Sequence, residues 1–256
     1  MLGAIAGDII GSVYEFAGFK EYDFPLFTKN STFTDDTVLT VAVADAFMNH
    51  LDIAKTLKNY ALRYPDRGYG GSFYSWMHSD NLAPYNSWGN GSAMRTSSIG
   101  FLVSDEADLL QTARDYAAVT HNHPEGIKGA QATSYAIYLA RNGSSKEDIQ
   151  KEISHWFNYN LFQTLDEIRP DYVFDVSCQG TVPPAIIAFL ESEDCEDAIR
   201  KAISLGGDAD TLACITGSIA EAFYGLVPES IARETFQRLP EEFIRIINKF
   251  YMMLEE

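Results

Sequence analysis

Residues 206–224 read GGDADTLACITGSIAEAFY: two glycines, two aspartates around an alanine, a threonine, then a run of apolar and small residues. Asp210 stands where a helix built from that run would begin. The segment before it, AIRKAISLGG (198–207), reads as helix followed by glycines. This order argues against the phosphatase chemistry that Asp208-Ala209-Asp210 superficially suggests, which needs a nucleophilic aspartate at the end of a parallel strand. With helix on both sides of the acidic turn, the expected class is all-α.

Working outward, helical spacing recurs along nearly the whole chain. Residues 35–49 and 52–63 carry it, the latter through Ile53, Leu57, Tyr60 and Ala61. Pro124 opens a segment that stops at Asn142 and Gly143, a start and stop in the expected order. Ser144 and Glu147 read as a capping box for the next helix. Pro183 and Pro184 are placed at the head of AIIAFLES, and residues 228–253 read as one or two amphipathic helices broken near Pro240. Sustained period-2 alternation is almost absent. Long irregular loops are expected at about 18–33, 64–92 and 157–181, lengths that are uncommon in a compact domain unless the loops are functional. No Pro/Ser-rich linker or low-complexity tract divides the chain, so residues 1–256 are expected to form a single compact domain.

The first helix is rich in small residues: Gly3, Ala4, Ala6, Gly7, Gly11 and Ser12. Each glycine costs up to about 1 kcal/mol of helix propensity relative to alanine, so something is expected to pack very close to it. Tight crossing in the bundle core is one purpose; delivery of Glu15 from the end of the helix into a site is the other.

Composition bounds the function. The 256 residues hold 46% hydrophobic and 21% charged side chains, and a fold of this size buries roughly 70–75% of its unfolded surface. Cys178, Cys195 and Cys214 are scattered singly, which argues against a zinc ribbon or disulfide framework. The net charge of −17 repels polyanions, so an anionic substrate has to be held by local devices. The N-terminal run carries Asp8 and Glu15 and lacks a basic n-region. No stretch approaches the ~20 apolar residues of a membrane span. A cytoplasmic protein without a membrane partner is expected.

Two segments set paired carboxylates and threonine oxygens at a helix start: Thr34-Asp35-Asp36-Thr37 and Asp208-Ala209-Asp210-Thr211. Either alone is explained by capping and the helix macrodipole. Two in one chain are better explained by convergence, and four converging carboxylates repel unless a cation lies between them. Oxygen donors without cysteine or paired histidine suit Mg²⁺ or Mn²⁺, and four carboxylates suffice for two ions. A third segment, SWGNGSAMR (87–95), is a Gly/Asn/Ser loop running into a helix, whose backbone N–H groups could cradle a diphosphate. Asp66-Arg67-Gly68-Tyr69-Gly70-Gly71-Ser72-Phe73 offers flexible backbone and rings for stacking. His121 and His123 precede a helix; metal ligation by this pair is the less favoured reading.

The ordered set GAIAGDIIGSVYE, FTDDTVL, GYGGSF, GNGSAMR, THNHP and GGDADTLA resembles the ADP-ribosylglycohydrolase family, whose members include the dinitrogenase reductase activating glycohydrolase type. The motifs run from residue 3 to about 224. The resemblance implies an all-α orthogonal helical bundle, two Mg²⁺ (or Mn²⁺) ions at the base of a cleft, and hydrolysis of the glycosidic bond between ADP-ribose and an acceptor. Matched residue by residue, it implies Thr34, Asp35, Asp36, Asp208, Asp210 and Thr211 as metal ligands. Glu15 matches the acidic residue over the substrate ribose. Gly91 and Ser92 match the diphosphate loop with Asn90 close by, His121 matches a substrate-contacting histidine, and Gly70-Gly71 looks like part of the same cleft. Glu15, Asp35 and Asp208 are the expected catalytic residues.

Ala209 stands where relatives often carry threonine. At 256 residues the chain is short for the family, so loops that recognise a protein acceptor are expected to be trimmed. The substrate is expected to be an ADP-ribosylated protein or a small ADP-ribose conjugate, with a nucleic-acid conjugate less favoured, acted on by a monomer. The alternative reading is an inactive ADP-ribose-binding or crystallin-like structural protein; such a protein would be expected to have lost ligands, and every matched position is filled.

Overall fold

A computed structural model describes residues 1–255. Among them the chain forms α1 (Leu2–Gly11), α2 (Asp35–Met48), α3 (Ile53–Arg63), α4 (Gly71–His78), α5 (Ser97–Leu102), α6 (Glu106–Ala118), α7 (Pro124–Arg141), α8 (Lys146–Phe157), α9 (Leu165–Ile168), α10 (Cys178–Leu190), α11 (Cys195–Ile203), α12 (Ala209–Tyr224), α13 (Glu229–Phe236) and α14 (Glu241–Leu254). One antiparallel bridge, Gly89 to Ser177, is the only extended pairing among the described residues. The fold is all-α, and no described helix is long and apolar enough to cross a membrane.

The architecture is organised by α1 and α12. All ten residues of α1 are buried, as are residues 209–221 of α12. The glycines explain how two helices share so little space. A Cβ on Gly3 would lie 2.2 Å from the Gly217 carbonyl oxygen, one on Gly7 2.0 Å from that of Ala213, and one on Gly11 2.5 Å from the Asp210 Cα. Backbone therefore meets backbone along a stripe of α1 at every fourth residue, and the tight-crossing reading of the small residues holds. Helices α7, α10 and α11 pack around α12, and α2 lies against α1. The crossing brings Asp8, midway along α1, close to the N-terminus of α2 and the start of α12.

Several expected boundaries move. α1 ends at Gly11, where Ser12 turns its hydroxyl back to the Ile9 carbonyl, so Glu15 sits on the turns that follow rather than on the helix. The long segment 64–92 contains the two-turn α4. The N-cap of α8 is Ser145, which accepts from the Asp148 amide, one residue beyond the Ser144–Glu147 pair read from the sequence. α10 starts at Cys178, so Pro183 and Pro184 lie inside it. Pro184 has no N–H to offer the Gly180 carbonyl, and the Tyr172 hydroxyl donates to that oxygen instead, at 2.8 Å. The helix thereby continues through the prolines.

Candidate active site

A cleft of about 400 Å³ opens beside the α1–α12 crossing, within the size range of small-molecule sites. Its floor is acidic. Asp36 enters from the first turn of α2, Asp208 and Asp210 from the start of α12, and Glu15 from the turns after α1; all four line the cavity, together with Asp35 and Thr211. One carboxylate oxygen each from Glu15, Asp208 and Asp210 lie within 4.8 Å of one another, and so do those from Asp8, Asp36 and Asp210. Asp210 belongs to both groups.

Asp8 is the site residue that sequence reading missed. It accepts from the Thr34 amide (3.0 Å), the Thr34 hydroxyl (2.6 Å), the Thr37 amide (3.0 Å) and the Thr37 hydroxyl. These four donors pin the first turn of α2 to α1, and in doing so fix where Asp35 and Asp36 point. The signal was available: a lone carboxylate in GAIAGDIIG, inside an otherwise apolar helix, needs a buried partner. Thr34, expected as a ligand, gives its hydroxyl proton to Asp8 and caps α2 by accepting from the Asp36 amide; it does not line the cavity.

The remaining expected residues divide by what their side chains touch. Thr211 donates to Asp36 Oδ2 at 3.1 Å. Asn90, which also lines the cleft, donates its amide nitrogen to Asp208 Oδ2 at 2.7 Å and to Thr181 at 3.1 Å, so that nitrogen positions an acid. Ser92 turns its hydroxyl to the Gly126 carbonyl at 2.7 Å, away from the cavity; only its backbone remains for the diphosphate role the motif implies. Gly91, Gly70 and Gly71 do line the cleft, the latter two with open space where a side chain would be. Gly68 adopts φ +92° to pass Asp35, a region glycine occupies without strain. Its neighbour Arg67 accepts the Asp35 amide at its carbonyl.

The rest of the lining includes Tyr85, Gly89, Gly91 and His121. His121 is buried, with Nδ1 2.8 Å from the Thr120 hydroxyl and Nε2 facing Gly91. Burial, with Arg95 nearby, holds its pKa well below the usual range, so the ring is neutral. His123 instead caps α7, accepting from the Glu125 amide, which separates the two histidines of the HxH pair. The loop carrying Asn90 is held by pairing of Asn90 N–H with the Val176 carbonyl and of Cys178 N–H with that of Trp88.

The floor fits a hard cation. Burial and mutual repulsion raise the pKa of Asp35, Asp36 and Asp210, push Asp208 to about 6 and push Glu15 to about 8. Asp36 Oδ1 is buried and has no hydrogen-bond partner, an arrangement that costs free energy unless something positive meets it. Clustered oxygen donors of this kind match Mg²⁺ or Mn²⁺ chemistry.

Residues 1–255 match the model of the family described as ADP-ribosylglycohydrolase. This chain belongs to that family. Among its relatives is the human protein "ADP-ribosylhydrolase ARH3", 26% identical over 313 aligned residues that cover 90% of this chain and 86% of that one. Another is "ADP-ribosylarginine hydrolase Tri1" of Pseudomonas putida (strain GB-1), 25% identical across 94% of this chain and 78% of its own. A solved structure titled "ADP-ribosylglycohydrolase-related protein complex" superposes with a TM-score of 0.69 at 23% identity, covering 99% of this chain and 97% of that one. At that identity the likeness establishes the fold. Both alignments to curated relatives run longer than this 256-residue ADP-ribosylglycohydrolase family member, so the relatives carry insertions that this chain lacks.

Proposed function

We propose that this single-domain chain hydrolyses the glycosidic bond joining ADP-ribose to an acceptor, with two divalent cations held by Asp36, Asp208 and Asp210 together with Asp35 and Thr211. The observation that carries the reading is the pair of carboxylate triads sharing Asp210, at and beneath the floor of a cleft that Gly91 and His121 also line. When bound, such ions supply Lewis acidity to water and to the hydroxyls of the distal ribose.

The chain's own residues supply orientation and proton handling. Asn90 fixes Asp208, Thr211 fixes Asp36, and Asp8 fixes the turn that carries Asp35 and Asp36; such fixed geometry converts binding into rate. Glu15 has a carboxylate oxygen within 4.8 Å of those of Asp208 and Asp210 and lines the cleft, where a carboxyl group is suited to carry a proton. Water adds to C1 of the distal ribose as the bond to the acceptor breaks through an oxocarbenium-like state. The departing acceptor takes the proton that water gives up, with Glu15 or Asp208 as its carrier. His121, neutral and buried, offers a hydrogen bond to substrate without adding charge.

Purified protein incubated with ADP-ribosyl-arginine, ADP-ribosyl-serine peptide and O-acetyl-ADP-ribose, each with Mg²⁺, Mn²⁺ or EDTA, tests this by chromatography of free ADP-ribose. Metal-dependent release is expected, lost by at least about 10³-fold in Asp36→Asn and Asp210→Asn. Tight ADP-ribose binding without release from any conjugate would instead identify a non-catalytic binder.

A further inference from the structure

Arg95 is 1% exposed and among the largest fully buried side chains of the molecule. Its Nη2 donates to the Thr120 hydroxyl (2.8 Å) and to the Tyr116 carbonyl (3.3 Å), whereas Nε and Nη1 have no partner. It enters no ion pair among the described residues. That is unexpected in a chain with 36 acidic and 19 basic side chains, where a cation seeking a carboxylate has an ample choice. Arg63, Arg200 and Arg238 each have one. A desolvated guanidinium with two unused donors is unfavourable for the free protein.

Its location supplies a reason. Arg95 follows the glycine loop and lines the same cleft as Gly91, His121 and the acidic residues of the floor. The cleft therefore combines an acidic floor with a buried cation that has no carboxylate partner. We propose that Arg95 is the fixed counter-charge for the diphosphate of the ligand, acting through its field beneath the loop more than by direct contact. This rests on the reading of the cleft as an ADP-ribose site, and deepens it by assigning the charge that offsets repulsion between the diphosphate and the acidic floor. In a low-dielectric wall a charge of this kind acts over several ångströms with little screening, which is how a chain of net charge −17 can hold an anion.

The test compares wild type, Arg95→Met and Arg95→Lys by calorimetric titration with ADP-ribose and with neutral adenosine in Mg²⁺, alongside thermal melting. Arg95→Met is expected to weaken ADP-ribose about 10- to 100-fold, to leave adenosine unchanged, and to melt at or above the wild-type temperature, because an apolar side chain replaces an unpaired buried charge. Arg95→Lys, keeping the charge, is expected to retain most of the affinity. A residue kept only for packing gives the opposite pattern: a lower melting temperature with ADP-ribose affinity intact. That pattern, or equal loss of both ligands, overturns the proposal. Should Arg95→Met not fold, Arg95→Lys decides: affinity near wild type supports a charge role, and loss as large as that expected for Met overturns it. Wild-type protein that binds no ADP-ribose would remove the functional reading itself, and this inference with it.

Discussion

The floor and the rim of the cleft are built on opposite terms. On the floor Asp36, Asp210 and Asp208, with Asp8 beneath them, are 0–6% exposed, held by helix termini and by threonine and asparagine donors, and seated on a crossing where backbone touches backbone. At the rim Phe16 is 82% exposed and stacks at 5.4 Å on Phe174, itself 44% exposed, with Val173 beside it at 70%. None of these rim groups is fixed by a buried hydrogen bond. The floor is over-determined because charge must be held against repulsion; the rim leaves large apolar groups in water, which in a folded protein marks a surface that meets something. On the proposed function, the difference assigns bond cleavage to the buried, tightly held floor and acceptor choice to the exposed rim.

The largest expected effect breaks the floor through its foundation. Gly7→Ala places a methyl group 2.0 Å from the Ala213 carbonyl oxygen, a clash that only separation of α1 from α12 relieves. Overpacking of this kind costs at least about 1–3 kcal/mol, and the displacement would carry Asp8 away from Thr34 and Thr37. Chemical denaturation should show the stability loss, and calorimetry a weakened divalent-cation affinity. The same substitution at Gly71, where a Cβ meets open space, should leave stability within about 0.5 kcal/mol. Equal behaviour of the two variants would refute the description of the crossing.

Second in size is a pH effect confined to the floor. In the ion-free protein Glu15 is raised from 4.5 to about 8 and Asp208 from 3.8 to about 6, chiefly by burial, with neighbouring acids adding to the shift of Glu15. These groups stay protonated in the folded chain at pH values where the unfolded chain has released the proton. Stability they contribute is present in full below about pH 4 and is lost as pH rises toward 8. In EDTA the melting temperature should therefore fall between pH 5 and 8, and Mn²⁺ should restore it most strongly at the higher pH, where the carboxylates are free to bind it. A flat profile in EDTA, with no added benefit of Mn²⁺ at pH 8, would mean that the acids do not converge as described.

Much of this was legible in the sequence and some was not, for physical reasons. Paired acids at helix starts, small residues crowded into the first helix and a proline-opened helix are local signals, and they located α2, α7 and α12 and the close packing of α1, though not its partner. Asp8 escaped because its meaning is tertiary: its four donors come from Thr34 and Thr37, more than 25 residues away. The direction of the Asn90 and Ser92 side chains escaped because a Gly/Asn/Ser loop leaves both faces open until its partners, Asp208 and Gly126, are placed. Arg95 read as the tail of a loop motif; only its burial without a carboxylate gave it a role.

The smallest effect sharpens the comparison from the other side. Phe16→Ala removes a ring that is 82% exposed, so stability should change by no more than about 0.5 kcal/mol and ADP-ribose affinity little. If the stacked pair contacts the acceptor, kcat/KM should shift severalfold, and unequally, between an ADP-ribosylated peptide and a small conjugate such as O-acetyl-ADP-ribose. A uniform loss on both substrates would place Phe16 in the common ADP-ribose site and merge the rim with the floor. An unequal loss keeps them distinct, because a group that touches only the acceptor can change the ratio of two substrates without changing the ligand they share.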